Sequence, residues 1–151
     1  MYETNSLPIV NTPKRITSFV IDDLVVTLFF MIIFSEQIAV LFASVSEVNE
    51  ESMLLMNNFV AENILIIFSI KVLYHTVLIW QNGMTLGKYI MKIRVVDLES
   101  GYTPNLQQAF LRAAVRIVSE TFFYLGFVMA FFTPLKQTLH DKISKCVVID
   151  A

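Results

Sequence analysis

Apolar residues in this chain come in long blocks broken by a few charged positions. Residues 16–34 form the first block, mostly Ile, Val, Leu, Phe and Met with Thr17, Ser18 and Thr27 among them, interrupted by the charged Asp22 and Asp23 and preceded by Lys14 and Arg15. About 20 apolar residues suffice for a helix to cross a bilayer, so this block predicts a spanning helix. The helix is expected over residues 14–44, its more polar second half, with Glu36 and Gln37, emerging from the bilayer. An acidic loop at 46–51 follows, carrying Glu47, Glu50 and Glu51. A second span is expected over 59–81.

Beyond it the pattern changes. Gly83, Thr85, Gly87 and Lys88 mark a tight turn that starts a short interfacial helix, with Lys88 and Lys92 expected to face headgroups. Ile93, Val95 and Val96 then read as a strand, and Glu99, Gly101 and Pro104 as a turn. A third helical region runs over 106–132 and is closed by Pro134. Within it Gln108, Arg112, Arg116 and Glu120 recur every four positions, drifting about 40° per step, and so form one polar band. The apolar stretch 121–132 is too short to cross alone. The expected form is a shallow amphipathic helix over 106–120, a sharp change of direction, and a short apolar helix; a single tilted span is the alternative. Cys146, Val147, Val148 and Ile149 read as a second strand. The two strands would share one face of the membrane and could pair, given helices to cover them.

Composition supports a membrane protein. Of 151 residues, 56% are hydrophobic and only 16% charged, against about 25% charged in soluble domains. A net charge of −2 without basic, aromatic-interleaved patches argues against nucleic acid as a partner. The lone Cys146 allows no internal disulfide, and no metal motif or cofactor signature is present. Residues 1–13 read as a flexible leader ahead of a single domain over 14–151. With no basic region before it, the first block reads as a retained span and not a signal peptide. Basic residues cluster before the first span and after the second, while the loop between them is acidic. The N-terminus, the 83–104 loop and the strands are therefore expected on the cytoplasmic side.

The candidate chemistry lies in the charges. A carboxylate at the centre of a spanning helix costs about 2.5–3.5 kcal/mol on insertion scales, so Asp22 and Asp23 must be paired, protonated or used. Arg15 and Asp22 share a helix face, roughly 10 Å apart along the axis, and Asp23 lies about 100° around. Two close acids resist ionising together and could hold a proton or small cation. The competing reading is a polar clamp between helices, with arginines neutralising the acids. Lys71 and His75 share a face of the second span. Depth counting puts His75 level with the two aspartates and in contact or near contact with them, as a proton relay or a hydrogen-bonded core histidine. Lys71 must pair with an acid or be neutral. Arg112 and Arg116 would meet Asp22 or Asp23, or else lipid phosphate; Glu120 is placed to pair with Arg116.

The glycine-lysine turn is not a phosphate loop. Three residues, not four, separate Gly83 from Gly87, and Tyr89 stands where Ser or Thr is required. His140 and Asp141 lack companions for a metal site. No nucleophile arrangement suggests an enzyme.

Arg15 with Asp22 and Asp23, then Gly83, Thr85, Leu86, Gly87 and Lys88, the run Ile93–Asp97, Arg112 and Arg116, and finally Thr138, His140 and Asp141 together resemble the bacterial RDD family of small membrane proteins. One arginine and two aspartates give that family its name, here Arg15, Asp22 and Asp23. The resemblance implies a bacterial cell membrane protein of unsettled activity, with alkali cation/proton exchange proposed for some members. Lys71 departs from the pattern, and its charge beside a cation path argues against exchange. The fold expected is all-α and membrane-integral: two full spans, a re-entrant or interfacial helical pair and a small cytoplasmic two-strand element. The role expected is an accessory or structural subunit built on a buried Arg/Asp/His/Lys network. An alkali cation/proton antiporter working as a homo-oligomer is the alternative, since a chain this small can hardly form an alternating-access path alone. The lipid bilayer is the expected partner in either case.

Overall fold

A computed structural model describes residues 8–44, 49–122 and 125–151. Helix α1 (Thr12–Ile33) starts where Asn11 accepts the Lys14 amide at 3.1 Å, with Pro13 in the first turn. The helix expected over 14–44 is two: α1 ends at Phe34 and α2 (Ser35–Ser44) continues beyond it. At the break Phe34 is buried against Phe30 of α1 and against Phe59 of the second long helix, with ring centroids 4.7 and 5.9 Å away. Helix α3 (Glu50–Asn82) begins nine residues before the expected start, because Asn49 and Ser52 form a reciprocal capping box. The acidic loop falls partly outside the described residues, as do residues 1–7 of the leader. Pro8–Val10, expected to be irregular, dock on the second strand. Asp150 donates its amide to the Pro8 carbonyl at 2.9 Å, Ile9 bridges Ile149, and Val10 is fully buried.

Gly83 closes α3 in the left-handed conformation (φ 69°), and its carbonyl accepts the Val95 amide at 2.7 Å. The chain then forms α4 (Leu86–Ile90), β1 (Ile93–Asp97) and α5 (Leu106–Thr121), the last opened by an Asn105/Gln108 capping box. A continuous helix over 106–132 does not form. Phe122 ends α5, and α6 (Leu125–Val128) with a 3-10 turn at Met129–Phe131 follows, so the region is a long helix and a short helical piece as expected; the expected change of direction lies outside the described residues. Helix α7 (Leu139–Ile143) was not foreseen; Thr138 and Asp141 cap it reciprocally. β2 (Cys146–Asp150) pairs antiparallel with β1, Val95 opposite Val148 and Asp97 opposite Cys146.

The molecule has two different interiors. Val10, Ile79, Ile93, Val95, Ala109, Cys146 and Val148 form an apolar cluster joining the sheet to α3 and α5. Between the long helices the arrangement inverts. The buried residues of α1 are Ser18, Asp22 and Val26, while Leu28 (59% exposed) and Ile32 (71%) face outward; on α3 His75 and Thr76 are buried and Leu65 is 76% exposed. Both helices are long and apolar enough to cross a membrane.

Gly83→Ala should cost roughly 1–2 kcal/mol, the penalty of a left-handed L-residue, because a Cβ there would also sit 2.8 Å from the Val95 carbonyl oxygen. A lowered thermal midpoint in detergent, with helicity retained, checks this.

Candidate functional site

Asp22 is fully buried, and four donors converge on its carboxylate. Oδ1 accepts the Gly87 amide at 2.8 Å and the Tyr74 hydroxyl at 2.9 Å. Oδ2 accepts the Thr85 hydroxyl at 2.6 Å and faces the Lys88 ammonium at 3.4 Å. Gly87 makes this geometry possible: a Cβ on it would collide with the Ser18 carbonyl and lie 2.9 Å from Asp22 Oδ1, so α4 packs on α1 only through a bare backbone. The turn Gly83, Thr85, Gly87 and Lys88 is thus a socket for Asp22. Lys88, expected to face headgroups, is 5% exposed and turns inward instead, because the short helix presents that face to the carboxylate. Burial drags its amine down to about 7, Asp22 opposes the drop, and Arg112, Arg116 and Arg15 add to it.

Asp23 points elsewhere. Its Oδ1 meets the Lys71 ammonium at 3.2 Å, with its side chain 44% exposed. Lys71 also reaches Glu120 at 3.0 Å, and Glu120 pairs with Arg116 at 2.8 Å, the i,i+4 contact expected on α5. Arg116 lies 3.4 Å from His75 Nδ1 and stacks over the Phe19 ring at 4.7 Å. No hydrogen bond or ion pair joins His75 to either aspartate among the described residues. Its neighbour Tyr74 reaches Asp22, so the depth count holds while the rotation about α3 turns His75 toward α5.

Arg15 and Arg112 do not pair with Asp22 or Asp23. Both bind Asp141, which is fully buried at the start of α7. Arg112 Nε and Nη2 donate to Oδ1 at 3.0 and 2.6 Å; Arg15 donates to Oδ2 and also to the Lys136 carbonyl. Burial pushes the Asp141 carboxyl up, but Arg15 and Arg112 outweigh it and hold the group well below the usual carboxylate range. Burial drives the adjacent His140 well below its ordinary value, so that imidazole is neutral despite Asp141 beside it. Sequence reasoning missed Asp141 and Tyr74 as site residues. The Thr138-x-x-Asp141 capping signature was the available signal for α7; nothing local marks Tyr74. Among the described residues no cluster of His, Cys, Asp and Glu is arranged to hold a metal ion.

The sequence model of the RDD family matches residues 10–145, nearly the whole chain. Two curated relatives are similar over shorter stretches. The uncharacterized protein RP437 of Rickettsia prowazekii is 34% identical over 89 residues, 59% of this chain and 47% of that protein. The uncharacterized protein YxaI of Bacillus subtilis is 38% identical over 86 residues, 56% of each. The matched stretch thus covers about half the length of these relatives. No solved structure matches the chain.

Asp141→Ala leaves two guanidinium groups buried without their carboxylate, and should destabilise the protein by about 3–5 kcal/mol, read as loss of folded material or a sharply lowered unfolding midpoint in detergent. The pH response separates the two charge groups. Asp141 is held below its unfolded value, so its contribution is complete above about pH 4 and is lost as pH falls through its lower folded value. Lys88 is also depressed, from 10.5 to about 7. Between those values the unfolded chain binds more protons there, so stability rises as pH increases from 7 toward 10. Unfolding midpoints across that window should climb, and Lys88→Met should flatten the climb.

Proposed function

This chain belongs to the RDD family, and on that premise we propose that it is an integral protein of the bacterial cell membrane whose buried charges form a structural clamp, serving as an accessory or scaffold subunit. The inverted interior supports the membrane placement. Helices that bury Ser, Asp, His and Thr while exposing Leu, Ile and Phe suit a surrounding that is itself apolar. In the proposed topology α1 and α3 cross. Lys14 and Arg15 at the start of α1 and Lys92 and Arg94 after α3 lie on the cytoplasmic side with the two strands, and Glu50 and Glu51 lie opposite.

The observation that carries the clamp reading is the saturation of Asp22. A carboxylate offers about four acceptor positions. Tyr74, Thr85, Gly87 and Lys88 occupy that number, which leaves no open face for a travelling cation. The second reading, alkali cation/proton exchange by an oligomer, has one observation in its favour. Asp23 keeps its carboxylate half exposed and shares Lys71 with Glu120.

Reconstituted vesicles loaded with a pH-sensitive dye distinguish the two. The clamp predicts no dissipation of a proton gradient on adding sodium or potassium. It also predicts that Asp22→Asn, which weakens the Lys88 pairing and the bonds from Thr85 and Gly87, lowers the yield of folded protein. Ion-dependent proton flux that Asp23→Asn abolishes, with Asp22→Asn fully folded, would establish exchange instead.

A further inference from the structure

A cavity of about 250 Å³ lies between α1, α5, α7 and the 3-10 turn. Every charged residue on its wall is a cation: Arg15, Lys88, Arg112 and Arg116. The acids that hold these cations, Asp22, Asp141 and Glu120, sit behind them and do not line it. Donor capacity is left over. Arg112 spends Nε and Nη2 on Asp141, and Arg116 spends Nε on Glu120 and Nη1 on His75. Arg112 Nη1 and Arg116 Nη2 have no partner among the described residues. His140, 3% exposed, also lines the cavity, and its Nδ1 is buried without a hydrogen-bond partner. A buried unpaired polar atom is uncommon and calls for an explanation.

The rest of the wall is mainly apolar, with the hydroxyl residues Thr12, Ser18 and Thr138 among it. Ile16, Phe19, Phe127, Val128 and Phe131 line it. Of these Ile16 (54%), Val128 (46%) and Phe131 (66%) are exposed, so this wall is continuous with the outward apolar surface of α1. The volume lies below the roughly 300–1,000 Å³ usual for sites that enclose a whole small molecule. It suits a head with its tail left outside. We infer that this cavity binds the anionic phosphate head of a membrane lipid, held by Arg112, Arg116 and His140, with the acyl chains leaving past Phe131 and Ile16 into the bilayer. Guanidinium groups match phosphate oxygens in charge and donor geometry, and the apolar exit offers acyl chains a path that a hydrated ion does not need.

The inference takes its ligand source from the membrane placement above, yet its test is independent of insertion. The full chain is purified in an uncharged detergent and titrated with phosphatidylglycerol or phosphatidylcholine, with bound lipid counted by native mass spectrometry. One phosphatidylglycerol per chain is expected, bound at least about tenfold more tightly than phosphatidylcholine. Phe131 is exposed, so Phe131→Glu and Phe131→Lys should both fold, as their unfolding midpoints will report. Phe131→Glu places a like charge at the exit and should weaken phosphatidylglycerol binding about tenfold, while Phe131→Lys should not. Lys142→Gln, on the exposed basic rim, should leave binding intact. Equal affinity for the two lipids, unchanged binding by Phe131→Glu, or an equal loss in Lys142→Gln would overturn the site. Displacement of the lipid by millimolar inorganic phosphate would overturn the lipid assignment in favour of a free anion.

Discussion

Asp141 has lost all contact with solvent, and it holds Arg15 from the first long helix and Arg112 from the amphipathic helix at once. An ion removed from water is costly unless its partners reach it with good geometry, and removing one partner strands the others. The rest of the polar interior follows from meeting that condition. Helix α7 must dock to deliver Asp141, and α5 must lie against it to deliver Arg112. Arg15 must turn inward at the start of α1, away from the Asp22 seven residues along its own helix. Thr138 caps α7 with the same carboxylate, its amide 3.2 Å from Oδ2, so the residue that neutralises two arginines also fixes where its helix begins.

The two interiors divide the work by solvent. Under the sheet, β-branched residues from β1 and β2 pack on Ile79 and Ala109, an ordinary apolar core that works wherever water is the alternative. Between the long helices an apolar contact has little to gain if the outside is also apolar, and hydrogen bonds and ion pairs supply the specificity instead. Gly87 shows how tightly this is drawn. It is the absence of a side chain that lets a backbone amide reach Asp22. Gly83 plays a different part, holding the left-handed bend that places Thr85 and Gly87 after α3.

Local signals made much of the fold legible. Runs of Val and Ile bounded by turn residues located both strands, and the four-residue recurrence of Gln108, Arg112, Arg116 and Glu120 located α5. The break at Phe34 was not legible, because a buried ring 25 residues from its partner Phe59 looks like any other apolar residue in a span. Of the site, the sequence marked the cations and the paired aspartates but neither Asp141 nor Tyr74, and it did not mark the pairing. Lys88 beside a turn reads as a headgroup anchor, and only the packing of α4 on α1 reveals that it faces a carboxylate 66 positions away. Arg112 carries no mark choosing Asp141 over Asp22; that choice is made by the docking of α7. Counting turns put His75 level with the aspartates, and its neighbour Tyr74 is the residue that reaches Asp22; a turn count does not fix which of two neighbours faces α1.

The adjacent aspartates are chemically unequal. One hundred degrees of helix rotation sends Asp22 into a closed socket of backbone and hydroxyl donors, and Asp23 to a lysine on an accessible face. Groups that act as one titrating pair must share a proton or a field at close range. Here each carboxylate answers to its own partners, and the Lys71 that serves Asp23 is committed equally to Glu120 and through it to Arg116. Asp22 is therefore fixed by position, as part of how α4 is held. On the clamp reading proposed above, any reactivity of the pair would reside in Asp23, whose side chain stays 44% exposed.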